Sequence, residues 1–281
     1  MRNPLAWLFI AAFLLVSLTF MVAPTVMLAV QSFYGDDGFT LEYIKGLDTY
    51  RYRQALQNSV VLSLLSAAVG VVAGSLIAQV TISPAAPRSL RSLVTSFSAV
   101  ASNFAGVPLA FAFVSTLGTL GLVTAGLKAL GLDLYSHGFS LYSMTGLVLV
   151  YSYFQIPLMV IVITPALLAM RSEWREATEN LGASSWQYWR LVALPVLAPS
   201  LLASFILLFG SGFSAYATAY ALTSGNIGLL TTEISNVLSG NVMVSQQTGA
   251  ALSLLMIVVM VIVLALNSLL SRRAARWTTR R

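Results

Sequence analysis

Long apolar runs separated by short polar connectors set the pattern of this sequence. From Pro4 to Tyr34 no residue is charged. A helix crosses a bilayer core with about 20 mostly apolar residues. Barrel strands instead alternate apolar and polar positions over about ten residues. The runs here are continuous, so they predict helices, near 6–32, 57–82, 93–117, 139–169, 195–222 and 248–271. The expected fold is an all-α integral membrane protein with six transmembrane helices in one domain over 1–281. The run from Leu191 to Thr232 is long for a single span. Its tail, TSGNIGLLTTEISNVLSGNV, reads as a loop that dips back toward the membrane.

Composition agrees. Of the 281 residues, 58% are hydrophobic and 9% charged, against about 25% charged in soluble domains. The net charge of +6 could indicate nucleic acid, but the basic residues cluster at the ends of apolar runs, where membrane orientation is decided. With the N-terminus inside, inner segments carry eleven Lys and Arg: Arg2, Arg88, Arg91, Arg171, Arg175, Arg190, Arg272, Arg273, Arg276, Arg280 and Arg281. Outer segments carry four: Lys45, Arg51, Arg53 and Lys128. Asp36, Asp37, Glu42 and Asp48 fall in the first outer loop. Both termini are therefore expected in the cytoplasm, and the Arg-rich tail reads as a topology signal that touches anionic lipid. The first run is far longer than the roughly 7–15 apolar residues of a secretory signal, so it reads as a retained span. The stretch 33–56 is read as a loop with a short helix.

Several chemistries are missing. The chain has no cysteine, hence no disulfide or thiolate metal site. His137 is the single histidine and reads as a loop residue, since metal sites need several ligands. No Gly-Lys pair exists for a phosphate-cradling P-loop. The predicted spans hold almost no ionisable groups, which argues against an ion-coupled carrier. Glu233, the nearest acid, reads as part of the outer loop. Uncharged polar residues do occur in the spans. Asn103, Gln155, Ser211, Ser214, Tyr216 and Tyr220 either pack and bond between helices or line a pathway that hands a solute across; the sequence leaves both readings open. Gly70 and Gly74, spaced GxxxG, allow close helix packing.

The connector between the fourth and fifth runs, 171–194, is the most informative stretch. RSEWREATENL favours a short helix, with Arg and Glu interleaved at helical spacing. Gly182 ends it. Ser184 and Gln187 form a capping box for a second helix. Trp186 and Trp189 suit the membrane interface, and Pro195 suits a helix start. A short polar helix displayed at the cytoplasmic surface is built to dock a soluble partner.

Here the sequence resembles the permeases of ATP-binding-cassette importers that work with external solute-binding proteins. Their cytoplasmic motif runs Glu-Ala-Ala, three residues, Gly, nine residues, Ile, one residue, Leu-Pro. This chain has Glu176-Ala177-Thr178, Gly182, Val192 and Leu194-Pro195 at the same spacing; Thr178 replaces Ala and Val192 replaces Ile. FTLEYIKGLDTYRYRQALQNSVVLSLLSA is similar to the first outer loop and second span of such permeases, and FQIPLMVIVITPALLAM to the fourth. The branch resembled includes polyamine permeases, with relatives for thiamine, iron(III), sulfate or phosphonates. The resemblance implies a coupling helix between spans 4 and 5, with Glu173, Glu176, Ala177, Thr178, Leu181, Gly182 and Ala183 meeting an ATP-binding subunit. It implies no cofactor in this chain, ATP and Mg being bound by that partner. It also implies a second permease subunit, paralogue or self, and an extracytoplasmic solute-binding protein, in a bacterial inner membrane. An ion-coupled carrier and a membrane scaffold are the competing readings.

Overall fold

The computed structural model describes residues 4–35, 38–239 and 246–278. Arg2, Asp36, Asp37, Arg280 and Arg281 of the charge pattern, and 240–242 of the predicted dipping loop, lie outside the described residues. Six candidate spans emerge: Phe9–Gln31, Tyr50–Ile82, Gly106–Ala129, Met144–Leu168, Ser185–Ser214 and Gln246–Leu270.

The first span joins α1 (Pro4–Ser17) to α2 (Ala23–Gln31) through a π turn at Leu18–Val22. Pro24 explains that turn. Proline has no N–H, and its ring crowds the carbonyl four residues back. The helix widens just before it, and Ala23 N–H bonds Leu18 O, five residues back. The same device recurs at Trp189–Ala193 ahead of Pro195, where Leu194 N–H bonds Trp189 O. A small hairpin follows the first span, β1 (Tyr34–Gly35) against β2 (Gly38–Phe39), then α3 (Glu42–Gly46).

The centre of the molecule is α8 (Met144–Leu168), packed on α4 (Tyr50–Ile82) and α11 (Leu194–Ser214). In its most apolar stretch 61% of residues are buried, against none in the first span. Lipid tails are as apolar as leucine, so contact between spans depends on close packing rather than on water exclusion. The GxxxG pair supplies it. A β-carbon on Gly74 would stand 2.5 Å from Met159 Cβ, and one on Gly70 would stand 2.7 Å from Leu208 Cδ2.

The third span departs from expectation. In place of one helix over 93–117 there are α5 (Arg88–Ala101) and α6 (Gly106–Leu117), parted by a break, with α7 (Leu122–Ala129) after a Gly118–Gly121 turn. Ala105 is extended and Gly106 has φ +76°, a left-handed conformation that favours glycine. The run 195–222 is likewise split, into α11 and α12 (Ala217–Thr223), with Ala215 extended between them. The tail expected to dip back forms α13 (Leu230–Ser239), folded onto the start of α4, before α14 (Gln246–Thr278). Leu230 N–H donates to Ser59 Oγ at 2.8 Å, and Asn58 Nδ2 donates to Gly228 O at 3.0 Å. His137 lies in the loop before α8, as read from sequence, and its Nδ1 contacts Asp133 O. In that loop the Ser136 backbone N–H, together with Lys128, holds the Asp133 carboxyl below its ordinary range.

Candidate functional site

The connector builds two capped helices, α9 (Ser172–Asn180) and α10 (Ser185–Tyr188). Arg175 Nε donates to Glu179 Oε1 at 2.9 Å along α9. Thr178 spends its hydroxyl on Arg175 O at 2.8 Å. The end of α9 is a Schellman motif: Gly182 N–H bonds Glu179 O and Ala183 N–H bonds Thr178 O, both at 3.0 Å. This closure requires a left-handed residue, and Gly182 has φ +73°. A β-carbon there would meet nothing within 4 Å, so the dihedral alone calls for glycine. Directly afterwards Ser184 N–H donates to Gln187 Oε1 at 2.7 Å, and Gln187 N–H donates to Ser184 Oγ at 3.3 Å. Helix α10 then runs through the π turn into α11 as one helical stretch.

No residue of α9 is buried. Glu173, Glu176, Ala177, Leu181 and Gly182 are exposed, while Thr178 and Ala183 are half-buried. Leu181 is 86% exposed, although apolar and beside the turn. The segment is therefore locally rigid, yet it leaves its polar face and one leucine open.

The candidate pathway residues separate into two groups. Gln155 is fully buried in α8, and its Nε2 donates to Ser66 Oγ of α4 at 2.8 Å. A β-carbon on Gly212 of α11 would lie 2.8 Å from that nitrogen. Within this chain Gln155 clamps three helices together. The others collect near the two helix breaks. Asn103 lies in the first break, exposed, with Nδ2 donating to Ala99 O at 2.9 Å. Ser211 is half-buried; Ser214 is exposed and bonds Gly210 O at 2.9 Å. Tyr216 begins α12 and stacks on Tyr220 with ring centroids 5.2 Å apart. Its hydroxyl accepts from Ser235 Oγ of α13 at 2.9 Å.

Three residues that sequence reasoning missed tie the breaks together. Gly106 N–H, at the start of α6, donates to Thr218 Oγ1 of α12 at 2.8 Å. Tyr151 of α8, fully buried, donates its hydroxyl to Ala215 O at 2.8 Å. The second interruption thus satisfies a freed backbone N–H of the first, and α8 satisfies a freed carbonyl of the second, the condition for irregular backbone at membrane depth. Gly106 close to Pro108 was the available signal. Glu233 is a further surprise. It is 5% exposed and pairs with Arg51 at 2.7 Å, joining α13 to the first turn of α4.

Comparison with known proteins decides what this arrangement belongs to. Residues 70–276 match the family described as binding-protein-dependent transport system inner membrane component. The chain belongs to that family. It is the permease subunit of an importer of the ATP-binding-cassette class, a multi-pass protein of the inner membrane. The sulfate transport system permease protein CysW of Escherichia coli (strain K12) is 28% identical over 231 residues, covering 79% of this chain and 72% of CysW. CysT of the same organism, another sulfate transport system permease, is 34% identical over 86 residues, 31% of either chain. Among solved structures, a bacterial ABC transporter involved in import of the acidic polysaccharide alginate superposes with TM-score 0.75. That superposition covers 97% of this permease and 96% of the other chain at 17% identity. The MetNI methionine ABC transporter, in an inward-facing conformation, gives TM-score 0.57 over 79% of this permease and 95% of that chain, at 14% identity. These likenesses establish the importer-permease fold.

Proposed function

We propose that this permease forms half of a translocation pathway for a small solute and couples it to a separate ATP-binding subunit through residues 172–183. The observation that carries this is the connector's build: an exposed polar helix, closed by Schellman geometry and followed at once by a capped helix that continues into span five. A push on α9 is passed to α11 with little slack, because the short link 181–184 is closed by hydrogen bonds at both ends. ATP and Mg are held by the partner, and hydrolysis is the partner's work. A second permease subunit, paralogue or self, completes the pore, and an extracytoplasmic binding protein delivers the solute. Both termini face the cytoplasm, following the charge pattern.

For the solute, relatives named for sulfate support a small oxyanion ahead of the polyamine suggested by sequence resemblance. A polyamine path would draw on acids or aromatic faces; the six candidate spans hold no Asp or Glu, and Glu233, in α13, is already paired with Arg51. The test is ATPase stimulation in the reconstituted complex with its binding protein loaded in turn with sulfate or spermidine. Stimulation by spermidine alone reverses the ranking. Coupling is tested by Glu176→Lys, which reverses the charge on the exposed face of α9. Transport is expected to fall at least tenfold while the permease remains inserted. Normal transport in that variant removes α9 from the coupling role.

A further inference from the structure

A partly enclosed crevice of about 330 Å³ lies between the end of α4, the first half of α5 and the second half of α8. Its polar lining is Thr81, Arg91, Thr95 and Thr164. The remainder is apolar, with Val160, Ile161 and Leu168 on the α8 wall. Ile161 and Leu168 are 39% and 64% exposed, so this wall is open along its length.

Arg91 is only partly satisfied. A guanidinium offers five N–H donors. Two are directed at the last carbonyls of α4, Nε to Thr81 O at 3.3 Å and one Nη to Ile82 O at 3.4 Å. Those bonds tie the side chain to the end of α4 beside the crevice and leave three donors free. Neither Arg91 nor Arg88, three residues earlier on the same helix face, has a carboxylate partner among the described residues. Their own helix gives no relief, because both occupy its first turn, where the backbone dipole already favours negative charge. Thr95 and Thr164 donate their hydroxyls inside their own helices, to Arg91 O at 2.7 Å and Val160 O at 2.5 Å. They therefore present only acceptor lone pairs to the crevice.

From this geometry we infer a binding site for an anionic phospholipid with a hydroxylated headgroup, of the phosphatidylglycerol type, drawn from the cytoplasmic leaflet. The phosphate meets the free donors of Arg91, supported by the charge of Arg88. Headgroup hydroxyls donate to the threonine oxygens. An acyl chain lies along Ile161 and Leu168. The bound lipid would bridge α4, α5 and α8 beside the end of α8 that leads into the coupling helix. The leaflet assignment rests on the orientation proposed above.

The test uses the complete transporter, purified with its partner subunits and moved into nanodiscs of phosphatidylcholine doped with phosphatidylglycerol. Lipid retained after detergent washing is counted by native mass spectrometry. The wild type is expected to retain phosphatidylglycerol in preference to phosphatidylcholine. Arg91→Gln is expected to lose that preference by about fivefold, the size of one surface cation on anionic lipid. Ile161→Trp, which fills the apolar wall and leaves both arginines in place, is expected to lose the lipid as well. Unchanged retention in either variant overturns the site. So does displacement of the lipid by millimolar inorganic phosphate, which would make it a free-anion site. Orientation fails separately: Ser89→Cys reacting with an impermeant maleimide from outside refutes the leaflet while the lipid preference stands.

Discussion

Gly182 shows how one dihedral can position a docking element. It stands at φ +73° with open space around its α-carbon. Side chains are disfavoured there by about 1–2 kcal/mol through backbone sterics, and asparagine is tolerated better than a β-branched residue. Gly182→Val is therefore expected to unseat the end of α9 and to cut solute-stimulated ATPase activity several-fold in the assembled transporter. Gly182→Asn should retain most of it. Equal loss in both variants would mean that bulk, not φ, is what the position refuses. Arg51 and Glu233 present a different residue-scale asymmetry. Glu233 is buried, whereas the Arg51 side chain is 63% exposed. Arg51→Gln leaves a buried carboxylate without its cation and should cost about 2 kcal/mol. Glu233→Gln removes the charge and keeps hydrogen-bonding atoms, so it should cost less. Thermal unfolding in detergent orders the two, and a higher melting temperature for Arg51→Gln would show that the pair does not hold α13 in place.

At the scale of elements, what could be read from sequence was what is local. The connector's turn and capping box are made by residues within five positions of one another, so EATENLGASSWQ was enough to predict both. The spans were legible because each apolar run is continuous. The breaks were not legible, because their stability comes from afar. Gly106 N–H is satisfied by Thr218, 112 residues away, and without that acceptor the run reads as one helix. Gln155 was ambiguous for the same reason, since its partner Ser66 lies 89 residues earlier on another helix. Tertiary bonding of this kind can be tested directly. Thr218→Val keeps the shape and removes the acceptor, at about 1 kcal/mol. Hydrogen exchange is expected to speed at Gly106 and Val107 while the interior of α8 is unchanged. Protection that persists at Gly106 would mean that its N–H does not depend on Thr218.

The whole molecule is asymmetric in burial. Span four is enclosed by its neighbours, and span one contributes no buried residue over its apolar stretch. Span one also lies outside the part that matches the family, which begins at residue 70. A core from α4 onward with an outlying first helix fits a subunit that finishes its packing against lipid or a second permease. Everything proposed for coupling then turns on which side of the membrane α9 occupies. The absence of cysteine makes this simple to measure. Leu132 and Ser172 are both exposed, and α8 is the one candidate span between them. Its 25 residues reach about 37 Å at 1.5 Å per residue, enough to cross a hydrocarbon core of about 30 Å. Leu132→Cys should therefore react with an impermeant maleimide only from the outside, and Ser172→Cys only in inverted vesicles. Reaction of both from one side would mean that α8 does not cross. Reaction of Ser172→Cys from outside alone would put α9 out of reach of any ATP-binding subunit and end the coupling proposal, with the fold left intact.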